Sequence, residues 1–171
     1  MKKCIIADAG PIIALCKIQK LRLLNQLFET CFITEEVYQE VISGNDIAVN
    51  CLQSAVENQQ FKVVSIKNIS SDLQILLDLG EASSLSLALK QKPNQKHCAL
   101  LIDEAKGRHI AKQYKLSVIG LAGLLILAKK HHLINTVLPL LIDVRNNGYW
   151  LSNNFLHEVA KLSNEIFDDN S

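Results

Sequence analysis

The stretch CIIADAGPII, residues 4–13, runs from a short apolar segment through an aspartate and Gly-Pro into more apolar chain. KCIIA, residues 3–7, is apolar without alternation, the pattern of a strand buried on both faces. From Pro11 onward, Ile12, Leu15, Cys16, Ile18 and Leu21 recur at helical spacing. Proline suits the first turn of a helix, where its missing N–H is no loss. The segment therefore predicts a strand feeding a helix, with Asp8 at the junction.

The same alternation continues outward. CFI (31–33) predicts a second strand, with Thr34 as N-cap of a helix over EEVYQEVIS that Gly44 ends. FKVVSI (61–66) predicts a third strand or a short edge element, followed by two helical stretches broken near Gly80. HCALLI (97–102) is a fourth strand, EAKGRHIAKQY a helix, LSVIG (116–120) a fifth strand and LAGLLILAKKHH a further helix. The remainder is helical, punctuated by Pro139 and RNNG. Short apolar strands separated by helices indicate βαβ units. The expected fold is α/β: three layers, α/β/α, around a central parallel sheet of four or five strands. One domain spans 1–171, with a helical C-terminal appendage from about residue 135.

Composition is consistent with that fold. The chain has 171 residues, 49% hydrophobic and 20% charged, enough to bury a core without disulfides or a structural metal. The five cysteines, Cys4, Cys16, Cys31, Cys51 and Cys98, are scattered, odd in number and never in C-x-x-C spacing, so they are expected as reduced core residues. LSVIGLAGLLILA (116–128) is too short for a membrane span and is expected as core. No secretory leader is evident, which predicts a cytoplasmic protein. A net charge of +1 gives no general electrostatic argument for nucleic acid. The second half is the more basic, which leaves room for a local patch.

In open parallel sheets, ligands bind beyond the carboxyl ends of the strands. Asp8 ends the first strand, and Asp103 and Glu104 end the strand HCALLI. Glu40, one turn after Glu36, lies on the helix following the second strand, and Glu81 opens the helix LGEASSLSLAL. Each has a plain structural role available. Asp8 and Asp103-Glu104 are good helix caps, Glu81 suits the positive end of its helix, and Glu40 is at home on a solvated face. Convergence gives them a joint role, because several acids at one edge without basic partners repel one another unless a cation is present. Oxygen donors of this kind suit Mg²⁺ or Mn²⁺. Such ions activate water and neutralise phosphate charge, so phosphoryl chemistry follows without a Ser or Cys nucleophile. Lys106 and Arg108, in DEAKGR, are candidate contacts to a phosphate backbone, or simply an exposed helix face. Gly107 within that helix costs about 1 kcal/mol relative to Ala, which marks either a close approach to the backbone or a packed helix.

The segments IIADAGPIIAL, ITEEVYQEV, LGEASSLSLAL, LLIDEAKGRHIAK, VIGLAGLLILAKKHHLI and NNGYWLS stand in an order that resembles PIN-domain proteins, specifically an uncharacterised, toxin-like branch. The resemblance runs to about residue 155. It implies a metal-dependent ribonuclease fold with Asp8, Glu40, Glu81 and Asp103 as catalytic and metal-binding acids and Glu104 as a fifth candidate. It further implies RNA as substrate, a small antitoxin protein as partner and, commonly, a homodimer. Two departures stand out. Relatives usually read Asp-x-Ser where this chain reads Asp8-Ala9-Gly10, and Asp103-Glu104 stands where two aspartates are common.

Two functions of different class follow. One is an Mg²⁺- or Mn²⁺-dependent endoribonuclease, the toxin of a toxin–antitoxin pair. The other is a catalytically weak or inactive PIN-like module that binds RNA or a protein partner. A phosphoacceptor role for Asp8 would want a second aspartate at position 10, where Gly10 stands. No G-x-G-x-x-G follows the first strand, which argues against dinucleotide binding. The one adjacent aromatic pair, Tyr149-Trp150, is expected to pack the C-terminal helix.

Overall fold

The structure, a computed structural model, describes residues 4–91 and 98–168. The chain runs β1 (Cys4–Ala7), α1 (Ala9–Lys17), α2 (Leu23–Leu27), β2 (Thr30–Thr34), α3 (Glu35–Ile42), α4 (Ile47–Glu57), β3 (Lys62–Val64), α5 (Ser71–Leu76), α6 (Leu79–Gln91), β4 (Cys98–Leu101), α7 (Ala105–Gln113), β5 (Val118–Ile119), α8 (Leu121–Lys130), α9 (Leu138–Asn146) and α10 (Asn153–Ser163). All strand pairs are parallel, in the order β3-β2-β1-β4-β5. The five-stranded α/β/α sandwich is the architecture expected from the apolar strands. β3 takes the edge, and His97, the expected start of β4, lies outside the described residues.

Because side chains alternate along a strand, Ile5, Ala7, Ile33, Ala99 and Leu101 face one way. They meet apolar residues of α1, α3, α4, α8, α9 and α10, including Leu15, Val37, Leu52, Leu124, Leu141 and Leu156. Ile6, Leu100 and Ile102 face the other way, against Leu73, Leu77, Ala82, Leu85, Ile110 and Ala111 of the α5–α7 region. Both faces are covered, which is why the strands read as unbroken apolar runs.

Several local expectations are corrected. The first helix stops at Lys17 rather than continuing to Leu21, because Gln19 adopts φ 56°. The amides of Gln19 and Lys20 there return to the carbonyls of Cys16 and Leu15, closing a Schellman turn. The break between α5 and α6 falls at Leu77-Asp78, and Gly80 lies inside α6. The helix α4 was not among the expected elements. Its buried stripe is only Ala48, Leu52 and Ala55, too thin to stand out by periodicity. Thr34, by contrast, is the N-cap of α3 as expected, its Oγ1 accepting from the Val37 amide.

The cysteines are also corrected. Register pairs Cys4 with Cys98 across β1 and β4, with Cα atoms 4.7 Å apart, and the two are joined as a disulfide. Cys16, Cys31 and Cys51 are free. Parallel pairing brings together residues 94 positions apart in sequence, a relation that spacing does not reveal.

The C-terminal helices belong to the first face of the core through Leu138, Leu141, Val144, Leu156 and Val159. Glu165 fastens them, accepting from the amides of Val137 and Leu138 and from Lys129 Nζ at 2.7–2.8 Å. Gly148, at φ +93°, ends α9 in another Schellman turn, with the Tyr149 amide reaching the Val144 carbonyl. That turn sends the chain back toward the sheet. Among the described residues no helix is long and apolar enough to cross a membrane.

Candidate active site

β1 and β4 are neighbours, and their onward connections lead to opposite sides of the sheet. This is the switch point at which open parallel sheets leave a crevice. Asp8 and Asp103 follow these two strands, and the Asp8 amide bonds to the Leu101 carbonyl at 3.0 Å. Asp8 holds the N-cap position of α1, yet its side chain makes no cap hydrogen bond. It is 8% exposed, and its Oδ1 is buried without a partner. Burial, then the charges of Glu40, Glu81 and Asp78, push its pKa from 3.8 up to about 7. Asp8 thus stands at the cap position with one carboxylate oxygen that no bond to α1 uses.

Glu81, in the first turn of α6, is 5% exposed, and its Oε1 is likewise buried without a partner. Burial and the charges of Asp78 and Glu104 raise its pKa from 4.5 to about 7. Asp78 is a site acid that the sequence reading missed. Its Oδ1 accepts from the Glu81 amide at 2.8 Å, and its charge raises the pKa of Asp8, Glu40 and Glu81 alike. The signal was present in D-x-x-E at residues 78–81, the spacing of an N-cap and its N3 glutamate.

Glycines make room for the acids. A Cβ on Gly107 would lie 2.7 Å from Glu81 Oε1, and one on Gly80 would lie 2.6 Å from Glu40 Oε2. One on Gly120 would lie 2.6 Å from Asp103 Oδ1 and would also collide with Arg108. Gly107 thus marks a close approach of two side chains, the Ile102 methyl at 2.5 Å from a Cβ placed there and the Glu81 carboxylate.

Asp103 is held differently. Its Oδ1 accepts from the Leu121 amide at 2.9 Å, so it caps α8 across space rather than the helix that follows it. Arg108 Nη1 lies 4.0 Å from the same oxygen, and Tyr149 donates its hydroxyl to Oδ2 at 2.6 Å. Tyr149 therefore reaches into the site while packing, as expected, against the core that holds the C-terminal helices, whereas Trp150 beside it is 85% exposed and departs from the expected packing. Glu104 is exposed at the N-cap of α7 without a side-chain cap bond, and Lys106 is exposed on α7. Glu40 is exposed on α3, and partial desolvation of its carboxylate, then the charge of Asp78, raise its pKa.

Asp8, Glu40, Asp78, Glu81 and Glu104 thus form one electrostatically coupled set. Asp103 joins its edge through Tyr149, whose hydroxyl also feels the charges of Asp8 and Glu104. Beside the set opens a cleft of about 650 Å³ whose lining includes Glu35, Glu36, Glu40, Asp78 and Gly80. Among the described residues no three acids, thiols or imidazoles form a ready-made ligand cage. A cage is not what Mg²⁺ demands, since it keeps several waters and takes one or two carboxylates. The partnerless buried oxygens of Asp8 and Glu81 fit that mode, and each is costly to leave bare.

No curated protein matches the chain. A family model described as PIN domain matches residues 4–165, nearly the whole chain. PIN domains are generally nucleases, so this match brings a hydrolase fold with it. From its ordered segments, its parallel sheet and that match, the chain belongs to the PIN-domain family.

Proposed function

We propose that this chain is a divalent-metal-dependent endoribonuclease that hydrolyses RNA phosphodiester bonds. The observation that carries the reading is the pair of buried, partnerless oxygens on Asp8 and Glu81 within a set of acids. Mg²⁺ or Mn²⁺ bound there would supply an activated water and neutralise charge on the phosphate. Asp8 and Glu81 are the first ligands, and Asp103, Glu40 and Glu104 are placed to complete the site or to orient its waters. Arg108 and Lys106, on the helix after Asp103, would hold the RNA backbone. The likeness of the ordered segments to the toxin-like branch is the ground for the rest of the reading: a toxin role, with a small antitoxin protein as partner and a homodimer as the assembly.

The second reading, a PIN-like module that binds RNA or a protein partner without cutting, is favoured by Gly10, which brings no hydroxyl beside Asp8, and the acidic cleft lining favours its protein-partner form. The experiment is cleavage of mixed structured RNAs by the purified chain with Mn²⁺, Mg²⁺ or EDTA, alongside Asp8→Asn. Metal-dependent cutting lost in the variant supports the nuclease. Equal cutting by both defeats it, and RNA binding without cutting at any metal concentration selects the module.

A further inference from the structure

Among the described residues, Asp103 has both of its carboxylate oxygens engaged. Oδ1 faces the Leu121 amide and Arg108, and Oδ2 takes the Tyr149 hydroxyl at 2.6 Å, the short distance of a charge-assisted bond. Two hydrogen bonds, from α8 and from the turn after α9, hold the carboxylate against rotation, and Arg108 of α7 adds an ion-pair neighbour at 4.0 Å. An ionised carboxylate accepts at about four sites. The plane is thus fixed while acceptor capacity remains on each oxygen.

The position of Tyr149 is itself determined. Gly148 makes the left-handed turn that returns the chain, and the Tyr149 amide is tied to Val144. On the opposite side, a Cβ on Gly10 would stand 3.9 Å from the phenol oxygen, so the hydroxyl lies against the turn that carries Asp8. The phenol therefore sits between the ends of β1 and β4, delivered there by the C-terminal helices.

We propose that Tyr149 is a positioning residue of the metal centre, its hydroxyl presetting the Asp103 carboxylate for a divalent cation and coupling α9 and α10 to cation binding. This rests on the metal-centre reading above. Outer partners that orient ligands typically contribute 10- to 100-fold in metal affinity. Tyr149→Phe keeps the ring and deletes only the donor, and it is expected to weaken Mn²⁺ binding about 10-fold.

Mn²⁺ affinity is measured on the full chain by electron paramagnetic resonance without RNA, for the unaltered protein, Tyr149→Phe and Asp8→Asn, with thermal unfolding in EDTA alongside. A Mg²⁺ titration followed by tyrosine difference absorption in a Tyr38→Phe, Tyr114→Phe background, where Tyr149 is the one tyrosine of the sequence, supplies a readout that keeps Tyr149. Weaker Mn²⁺ binding in Tyr149→Phe at unchanged unfolding temperature, with a Mg²⁺-dependent tyrosine signal, supports the proposal. Unchanged affinity, or no tyrosine signal in a protein that binds the cation, overturns it and leaves the metal centre standing. No Mn²⁺ binding by the unaltered chain overturns both. Should Tyr149→Phe fail to unfold cooperatively, the signal of Tyr149 in that Tyr38→Phe, Tyr114→Phe background decides.

Discussion

Gly107 and Glu81 share one space: the Glu81 carboxylate of α6 fills the place where a side chain at position 107 of α7 would begin, with Oε1 2.7 Å from that Cβ. Gly107→Ala gains about 1 kcal/mol of helix propensity but forces an overpacked contact that costs about 1–3 kcal/mol. Glu81 and Ile102 are both buried and have little room to retreat. The variant is expected to be net less stable in urea denaturation and to cleave more slowly, because the carboxylate must move. A variant as stable and as active as the parent would show that Glu81 yields freely.

The acids make stability depend on pH in a defined direction. Asp8 and Glu81 have ordinary values of 3.8 and 4.5 and folded values of about 7. Between these limits the folded chain keeps protons that the unfolded chain has released, so stability falls as pH rises. Asp46 and Glu165, whose pKa values are lowered, act only below their ordinary 3.8 and 4.5. In EDTA the unfolding temperature should therefore decline between about pH 5 and pH 8. Added Mn²⁺ should raise it more at the alkaline end, where the ligands are ionised. A flat or rising profile in EDTA would contradict the repulsion.

Asp78 serves as a cap and as a source of repulsion, and the two roles separate in one substitution. Asn caps as well as Asp, so Asp78→Asn keeps the bond to the Glu81 amide and removes the charge. At about pH 8 in EDTA the variant should be more stable by about 1 kcal/mol, the order of one unit of pKa relief. Its stability should also vary less with pH. Urea melts at two pH values test this, and a loss of stability would show that the charge is compensated by groups other than these acids.

Thr34 is fully buried, and its Oγ1 both accepts from the Val37 amide at 3.3 Å and pairs with Ser83 Oγ at 2.7 Å. Thr34→Val preserves shape while leaving both partners short of a bond. A loss of about 1–3 kcal/mol is expected, with cleavage also reduced, because the Thr34–Ser83 link sets α3 against α6 and hence Glu40 near Glu81. Chemical denaturation read beside activity tests both halves.

The disulfide predicts a thiol count. Without reductant, the denatured chain should show three reactive thiols, from Cys16, Cys31 and Cys51, and all five after reduction. Five in both conditions would remove the Cys4–Cys98 link.

Local pattern carried the architecture a long way. Apolar, unalternating strands such as CIIA and CALL, set between helices, sufficed for a parallel sheet covered on both faces. The acids at the strand ends were legible because open parallel sheets gather ligands there. The thin stripe of α4 and the early stop of α1 were not, since small residues and a left-handed Gln19 leave little trace in apolar periodicity.

The sequence by itself determined the succession of the strands, the βα junction at Asp8 and the acids Asp8, Glu40, Glu81, Asp103 and Glu104, while α4 and Asp78 escaped it. Only the tertiary structure decided which oxygens are left without partners, that Asp103 caps α8, that Tyr149 reaches it from 46 residues away, and that Cys4 meets Cys98. The physical reason is range. Periodicity and capping act within a few residues, whereas burial, register and the space a glycine leaves depend on elements that become neighbours only when the sheet closes its two helical layers.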